Sequence, residues 1–306
     1  MKAEILMAVY NGEAFLTEQI DSILRQDTDH WHLTISDDGS SDRSREIIQD
    51  YVGRNPEKIR QVISGQRFGN ARDHFFWLMR NCEADYILFC DQDDVWHIDK
   101  VRKTLEALYK TEAEFGKSMP ALVFTDQTVV DQDRQMIAPS MMELQQQNPN
   151  VKDYRTLLIK NVVTGCTVGI NRALAVLANS CTVPQQTIMH DWWLALVASR
   201  FGKLVYLDES TMEYRQHGKN SVGAKDVRRM KYLVEKLMHP KELRKKMEEK
   251  KIQATVFSDS FQDVLPTEEK LLLKEFAQKR IPLRSKLRFL EYVTSPARKV
   301  DFICRW

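Results

Sequence analysis

The feature that most constrains this chain is an alternation. A short apolar run gives way to a segment whose apolar residues recur at helical spacing, and the pair repeats through the first 112 residues. Residues 3–9 (AEILMAV) stop at the polar pair Asn11-Gly12; Phe15, Leu16, Ile20, Ile23 and Leu24 then mark one helical face between Glu13 and Arg25. The unit returns as HLTIS with SDRSREIIQDYV, KIRQVI with NARDHFFWLMRN, and DYILFC with HIDKVRKTLEALYKTE, before a fifth strand, ALVFTD. Apolar runs of this kind suit strands buried on both faces, and helices between them serve as crossovers. The spacing predicts an α/β fold with a mostly parallel central sheet flanked by helices.

After Asp126 the rhythm breaks. Residues 127–160 are rich in Gln and Met and read as an excursion over the surface. A second structured stretch follows: DYRTLLIKN as a helix, GCTVGI as a strand, RALAVLANS and DWWLALVASRFG as helices, then KLVYLD and TMEYRQHG. Residues 1–224 thus form one domain, with 1–126 as one half and 127–224 as an appendage on the same sheet. Residues 225–306 form a helical, basic extension. Charge draws the same boundary: residues 1–224 carry a net −7 and residues 225–306 a net +9, so only the second stretch suits an anionic partner.

Five cysteines without a CxxC pair argue for reduced, buried thiols rather than a disulfide scaffold or a thiolate zinc site. No apolar run reaches the roughly 18 residues a membrane span needs, and the N-terminal run is too short for a signal peptide. A cytoplasmic protein, soluble or attached peripherally to the membrane, is the expectation. Residues 279–306 carry 8 basic and 2 acidic groups interleaved with Leu283, Phe289, Tyr292, Phe302 and Trp306. That pattern suits an anionic membrane surface or a basic helix packed back onto the domain; no motif supports nucleic acid.

Ligands of open parallel sheets bind beyond the carboxyl ends of the strands, so the residues there carry the chemistry. After HLTI comes Ser36-Asp37-Asp38-Gly39-Ser40, whose carboxylates suit a ribose or base, or else simply make the turn. After the apolar Tyr86-Ile87-Leu88-Phe89 comes Asp91-Gln92-Asp93-Asp94. Three carboxylates in four positions repel one another unless solvated or neutralised by a cation, and oxygen ligands favour Mg2+ or Mn2+. An acidic helix start, capped by Asp94 or Asp99, is the competing explanation. Neither a GxGxxG nor a GxxxxGK[ST] loop is present, which disfavours dinucleotide dehydrogenases and P-loop enzymes.

Arg67 and Arg72 are candidates for a phosphate or base pocket, or are ordinary surface arginines. In His190-Asp191-Trp192-Trp193, Asp191 at a helix start suits a general base, and a tryptophan offers a stacking face to a sugar; a capping aspartate with core tryptophans would read the same way. In the segment from Tyr214 to Ser221, His217 suits a metal or a diphosphate, while Arg215 and Lys219 suit the diphosphate.

Together these residues resemble glycosyltransferase family 2, the inverting enzymes of the GT-A fold. The likeness runs through Ala8 to Gly12, Asp37 to Ser40, Asp91 to Asp94, Asn161 to Gly169, His190-Asp191 and Gln216 to Gly218, over roughly residues 3–221. It implies that Val9 and Asp38 line the nucleobase and ribose pocket with Asn11 beside them, that Asp93 coordinates the metal, that Asp91 contacts the donor, and that Asp191 is the base. It places Gly165, Cys166, His190, Trp192 and Trp193 on the acceptor side. His190 stands where many members have glutamate, and Tyr-Arg-Gln-His-Gly stands where many have QxxRW. That form is similar to bacterial rhamnosyltransferases of capsule, O-antigen and cell-wall polysaccharide synthesis, which implies dTDP-L-rhamnose as donor and a lipid-linked glycan as acceptor. A UDP-hexose or UDP-N-acetylhexosamine donor is the alternative; nucleotidyl transfer and a non-catalytic glycan-binding partner are further ones. A homo-oligomer is compatible with all of these.

Overall fold

The structure is a computed structural model and describes residues 3–151, 153–218 and 240–278. Lys219, named above for the diphosphate, and the basic segment 279–306 lie outside the described residues.

A nine-stranded sheet forms the centre. Strand β1 (Ala3–Val9) lies between β2 (Trp31–Asp37) and β4 (Tyr86–Cys90), and β3 (Ile59–Gln61) flanks β2; all three pairings are parallel. The register sets Val9 beside Asp37 and Met7 beside Cys90, so β1, β2 and β4 release their following loops at one edge. Period-two geometry sorts the apolar runs between the faces. Ile5, Met7, Leu88 and Cys90 join one buried cluster, which takes Leu16, Ile20 and Ile23 from α1 (Leu16–Leu24) and Leu105 and Leu108 from α4 (Lys100–Phe115). Leu6, Ile87 and Phe89 join the other, with Phe75 and Phe76 of α3 (Ala71–Arg80) and Trp193 to Ala198 of α8 (His190–Phe201). Near-continuous apolar strands are what a sheet covered on both faces requires.

The rest of the sheet departs from the parallel expectation, and the whole is mixed. Strand β8 (Gly169–Asn171) inserts antiparallel between β4 and β6 (Ala121–Val130), and β9 (Lys203–Arg215) pairs parallel with β6 and antiparallel with β5 (Val95–Trp96). The fifth strand therefore does not lie beside the fourth. Residues 165–170, expected as one strand, divide into a 3-10 turn over Gly165–Thr167 and the short β8. Gly169 lets α4 approach β8 closely: a Cβ there would stand 2.3 Å from Thr104 Cγ2.

The excursion after Asp126 is also shorter than its polarity suggested. β6 continues to Val130 and pairs with β7 (Met136–Ala138), while Met141, Met142, Leu144, Tyr154 and Leu157 are buried. Gln127 is only 1% exposed and hydrogen-bonded, so a satisfied polar side chain sits inside a strand. KLVYLD and TMEYR are one strand with register shifts opposite Thr125 to Thr128. Helices Pro240–Ser260 and Thr267–Ala277 close the second cluster: Phe257, Phe261, Leu273 and Phe276 are buried in it, and Trp193 meets Phe257 edge-on at 5.8 Å.

Candidate active site

The three parallel strands and the N-terminus of α8 surround a crevice of about 500 Å3. Val9, Tyr10, Asp38, Asp91 and Asp93 line one side; Gly165, His190, Asp191 and Trp192 line another. The run after β4, the loop after β2 and the start of α8 therefore open onto one space, although the chain between Asp38 and Asp191 separates them.

On the strand side, loops hold loops. Asn11 has φ +49°, a left-handed conformation that asparagine tolerates better than most side chains; its Oδ1 accepts from Ser41 N at 2.8 Å and its own N–H donates to Ser40 Oγ at 2.9 Å. It fastens the loop after β1 to the loop after β2 and is not among the crevice-lining residues. Gln92 does the same toward β4: its Oε1 accepts from Tyr10 N at 2.8 Å and its Nε2 donates to Tyr10 O at 3.0 Å. Gly12 makes room for this clasp, since a Cβ there would lie 2.6 Å from Gln92 Oε1. Asp37 is used by its own turn, accepting from Gly39 N and Ser40 N and pairing with Arg45 at 2.8 Å. Asp38, 4% exposed, accepts from Phe68 N at 2.5 Å and Gly69 N at 2.7 Å, which pins the 68–69 loop over the pocket.

The acidic run is not a helix start. Helix α4 begins at Lys100 with Asp99 before it, and Asp94 is fully buried, accepting from Arg215 N at 3.0 Å while its Oδ2 has no partner. Burial, then repulsion from Asp93 and Asp91, drives the Asp94 carboxyl well above the usual range. Asp91 is pushed up to about 7 by burial, with Asp93 and Asp191 adding to it. Asp93 Oδ2 lies 2.7 Å from His217 Nε2. Asp91, Asp94 and Cys166 also present ligand atoms within 4.8 Å of one another. Carboxylates that raise one another's proton affinity are what a divalent cation relieves, so the donor set fits one. The Cys166 thiol is held well above its ordinary value by burial and keeps its proton, which puts the weight on the hard ligands nearer the crevice.

Across the crevice, Asp191 meets three neighbouring donors. Its Oδ1 accepts from Trp192 N at 2.6 Å, and the Gly165 N–H and the Asn161 side chain lie near enough to favour its anion. Burial nevertheless raises its carboxyl to about 7. His190 packs between Phe75 and Phe89, ring centroids 4.3 and 5.1 Å away; neither ring nitrogen has a partner, and burial lowers its imidazole to about 3, so it is neutral. Gly165 is needed beneath it, because a Cβ there would meet His190 Nε2 at 2.9 Å.

Several expected ligands stand elsewhere. Trp193 is wholly buried and donates to Ala178 O, so it is core rather than an acceptor platform, whereas Trp192 lines the crevice. Cys166 is 1% exposed, beneath the crevice floor rather than on its acceptor wall. Arg215 is 3% exposed and braces the acidic loop, donating to Asp93 O at 3.0 Å and Gln132 O at 2.6 Å and pairing with Glu18, so it does not face a diphosphate. Arg72 is paired with Asp73 and donates to Thr187 O. Arg67 lies over the Tyr10 ring at 4.9 Å and donates to its hydroxyl, at the crevice mouth.

Residues the sequence did not single out also line the space. His74, 2% exposed with Nε2 unpartnered, stacks on Phe68 at 4.8 Å beside Asp38. Its place one turn into α3, on the face toward β1, was the available signal. Gln127, Gln145 and Gln147 line the space too, together with Asn161 from the stretch that carries the resemblance.

The model of Glycosyl transferase family 2 matches residues 4–175. The dTDP-rhamnosyl transferase RfbG of Shigella flexneri is 30% identical over 266 residues, covering 83% of this chain and 86% of that protein. Among solved structures, residues 1–349 of S. aureus TarS in complex with UDP superpose with a TM-score of 0.56 at 13% identity, over 99% of this chain and 89% of that one. The mannosyltransferase PcManGT from Pyrobaculum calidifontis, in complex with GDP-Man and Mn2+, gives 0.53 at 13% identity over 98% and 74%. Asp191 lies beyond the matched family region, but on the same crevice as the acidic run within it. With its GT-A-like mixed sheet and acidic cluster, the chain belongs to glycosyl transferase family 2 and is a glycosyltransferase that uses a nucleotide-sugar donor.

Proposed function

We propose that this enzyme transfers L-rhamnose from dTDP-L-rhamnose, with inversion, to a lipid-linked glycan during the synthesis of a bacterial surface polysaccharide. The observation that carries the transfer reaction is that Asp191, held by the Trp192 N–H, lines the same crevice as Asp91 and Asp93. The donor identity rests on the similarity to the Shigella dTDP-rhamnosyl transferase over most of both chains.

Asp38 and Val9 border the base and ribose, and the loop that Asp38 pins covers them. Asp93 and His217 would hold a Mn2+ or Mg2+ ion, and Asp91 would meet the donor. When bound, that ion supplies positive charge to the departing diphosphate. An acceptor hydroxyl forms the new bond to the anomeric carbon as the bond from that carbon to the diphosphate oxygen breaks. The hydroxyl proton passes to Asp191, and the nucleoside diphosphate leaves with the bonding pair. Trp192 and Gly165 fix the direction in which Asp191 takes that proton.

Residues 279–306, with their basic and aromatic pattern, are proposed to rest on the anionic face of a membrane and bring the crevice to a lipid-linked acceptor. No described helix is long and apolar enough to cross a membrane.

A donor panel tests the reading: release of nucleoside diphosphate from dTDP-rhamnose, UDP-glucose, UDP-galactose and UDP-N-acetylglucosamine in the presence of lipid-linked acceptors. Preference for dTDP-rhamnose is expected. A UDP preference removes rhamnose and keeps the mechanism, whereas release of pyrophosphate would make the enzyme a nucleotidyltransferase.

A further inference from the structure

One part of the crevice lining has a chemistry of its own. It comes from the end of β6, the segment Met141 to Gln147 and the turn from Asn161 to Gly165, and it is rich in carboxamides. They are fixed in three separate sets of hydrogen bonds. Gln127 Nε2 donates to Thr164 Oγ1 at 3.4 Å, and its Oε1 accepts from the Cys166 thiol. Asn161 is fixed by Val163, accepting from its N–H and donating to its carbonyl, and reaches the Asp191 carboxylate. Gln147 donates through Nε2 to Gln145, which in turn donates to Met141 Sδ. Gln147 Oε1 is shielded from bulk solvent with no partner.

Such an atom is an acceptor in want of a donor. The ligand that meets it must present an O–H or N–H group, and must do so in a crevice where Asp38, Asp91, Asp93 and Asp191 are the charged side chains among the described lining residues. An acceptor ring bearing a carboxylate or phosphate would bring its charge toward Asp191, which must itself be anionic to take a proton. A hydroxyl-rich ring is matched instead: amides satisfy its hydroxyls, and the Trp192 ring, with Lys250 Nζ 6.0 Å from its centroid, offers a stacking face.

We infer that Gln127, Gln145, Gln147 and Asn161 form the subsite for the acceptor's reacting sugar, and that this sugar is an uncharged pyranose rather than a uronic acid or a phosphorylated unit. The inference rests on the glycosyl-transfer reading and deepens it by fixing the chemical class of the acceptor. Gln147 meets the ring, and Asn161 links ring recognition to the orientation of the base.

The test is calorimetric binding of octyl glycosides to the full-length enzyme with nucleoside diphosphate and Mn2+ present, comparing octyl glucoside and octyl N-acetylglucosaminide with octyl glucuronide and octyl glucoside 6-phosphate. At least tenfold tighter binding of the uncharged glycosides is expected. Equal or tighter binding of the charged ones, or binding of none, overturns the inference. Gln147→Ala is expected to raise the acceptor KM about tenfold, the usual scale of one lost neutral hydrogen bond. A change confined to the donor KM would equally overturn it. Nucleoside diphosphate release in the presence of lipid-linked acceptors separates the two levels: its absence for every sugar nucleotide would sink the transfer reading itself, whereas its presence with the wrong acceptor preference would sink only the acceptor class.

Discussion

Asp191 is buried, so its carboxyl gives up its proton near pH 7 rather than near 4. The sign follows directly: the base is available only when ionised, so activity rises with pH. With a midpoint near 7, about 1% is ionised at pH 5 and most at pH 8, which predicts kcat/KM lower by up to about a hundredfold at pH 5. A cation near Asp91 favours the anion and moves the midpoint to lower pH, never higher. A rate that falls as pH rises from 5 to 8, with chemistry rate-limiting, would assign the proton to another group. Asp191→Asn should reduce kcat by roughly 10²–10⁴ while donor binding persists. A second residue-scale prediction concerns Gly165→Ala. The new Cβ would fall 2.9 Å from His190 Nε2, so the ring or the turn must move, and the Gly165 N–H near Asp191 moves with it. Loss of stability of about 1–3 kcal/mol is expected from such overpacking, with a fall in kcat larger than any rise in donor KM. Thermal melts and steady-state kinetics on the same preparation separate the two. The resemblance names both glycines, but order alone gives no reason for either: Gly12 and Gly165 matter because of Gln92 and His190, which lie 80 and 25 residues away and meet them only in the fold.

Elements with one local cause were legible, and those with a distant cause were not. β1, β2, β4 and helices α1, α3 and α4 are written in apolar runs and helical spacing, and their ends fall within a few residues of expectation. Asp38 and the acidic run were legible for the same reason, because they end strands. β8 was not: three residues pair antiparallel between β4 and β6 because those strands leave a gap, and nothing in Gly169–Asn171 itself signals that. Gln127 and Thr128 read as loop yet continue β6, since their polar groups find partners in Thr164 and Ser210. Arg215 looked like a ligand because the sequence does not reveal Gln132 and Glu18 beside it. The Gln92 clasp gives a prediction at this scale. Gln92→Glu keeps the size and the acceptor for Tyr10 N but replaces the donor to Tyr10 O with an oxygen, turning one hydrogen bond into repulsion. The loop after β1 should loosen, raising the donor KM several-fold with a smaller effect on kcat. An unchanged donor KM would mean the clasp does not shape the donor side.

At the scale of the whole molecule, the helices Pro240–Ser260 and Thr267–Ala277 belong to the same core as the α8 that carries Asp191. Phe257 and Phe276 are wholly buried, and Tyr154, Trp193 and Phe201 stack on or abut Phe257. Gln253, 1% exposed, accepts from Ile188 N at 2.8 Å, two residues before His190. The helices therefore cover an apolar face and hold the lead-in to the base at once. Two substitutions pull these roles apart. Phe257→Ala leaves a cavity among aromatic rings and should cost about 3–5 kcal/mol, visible as a lower melting temperature, with near-normal kinetics in the fraction that stays folded. Gln253→Ala removes one hydrogen-bond acceptor and leaves the Ile188 N–H buried without its partner, costing about 1–3 kcal/mol; because that strain falls two residues from His190, it should depress kcat more than Phe257→Ala does at equal stability. If the two variants lose activity only in proportion to their unfolded fraction, these helices serve stability alone, and the orientation of Asp191 is set entirely by Trp192, Gly165 and Asn161.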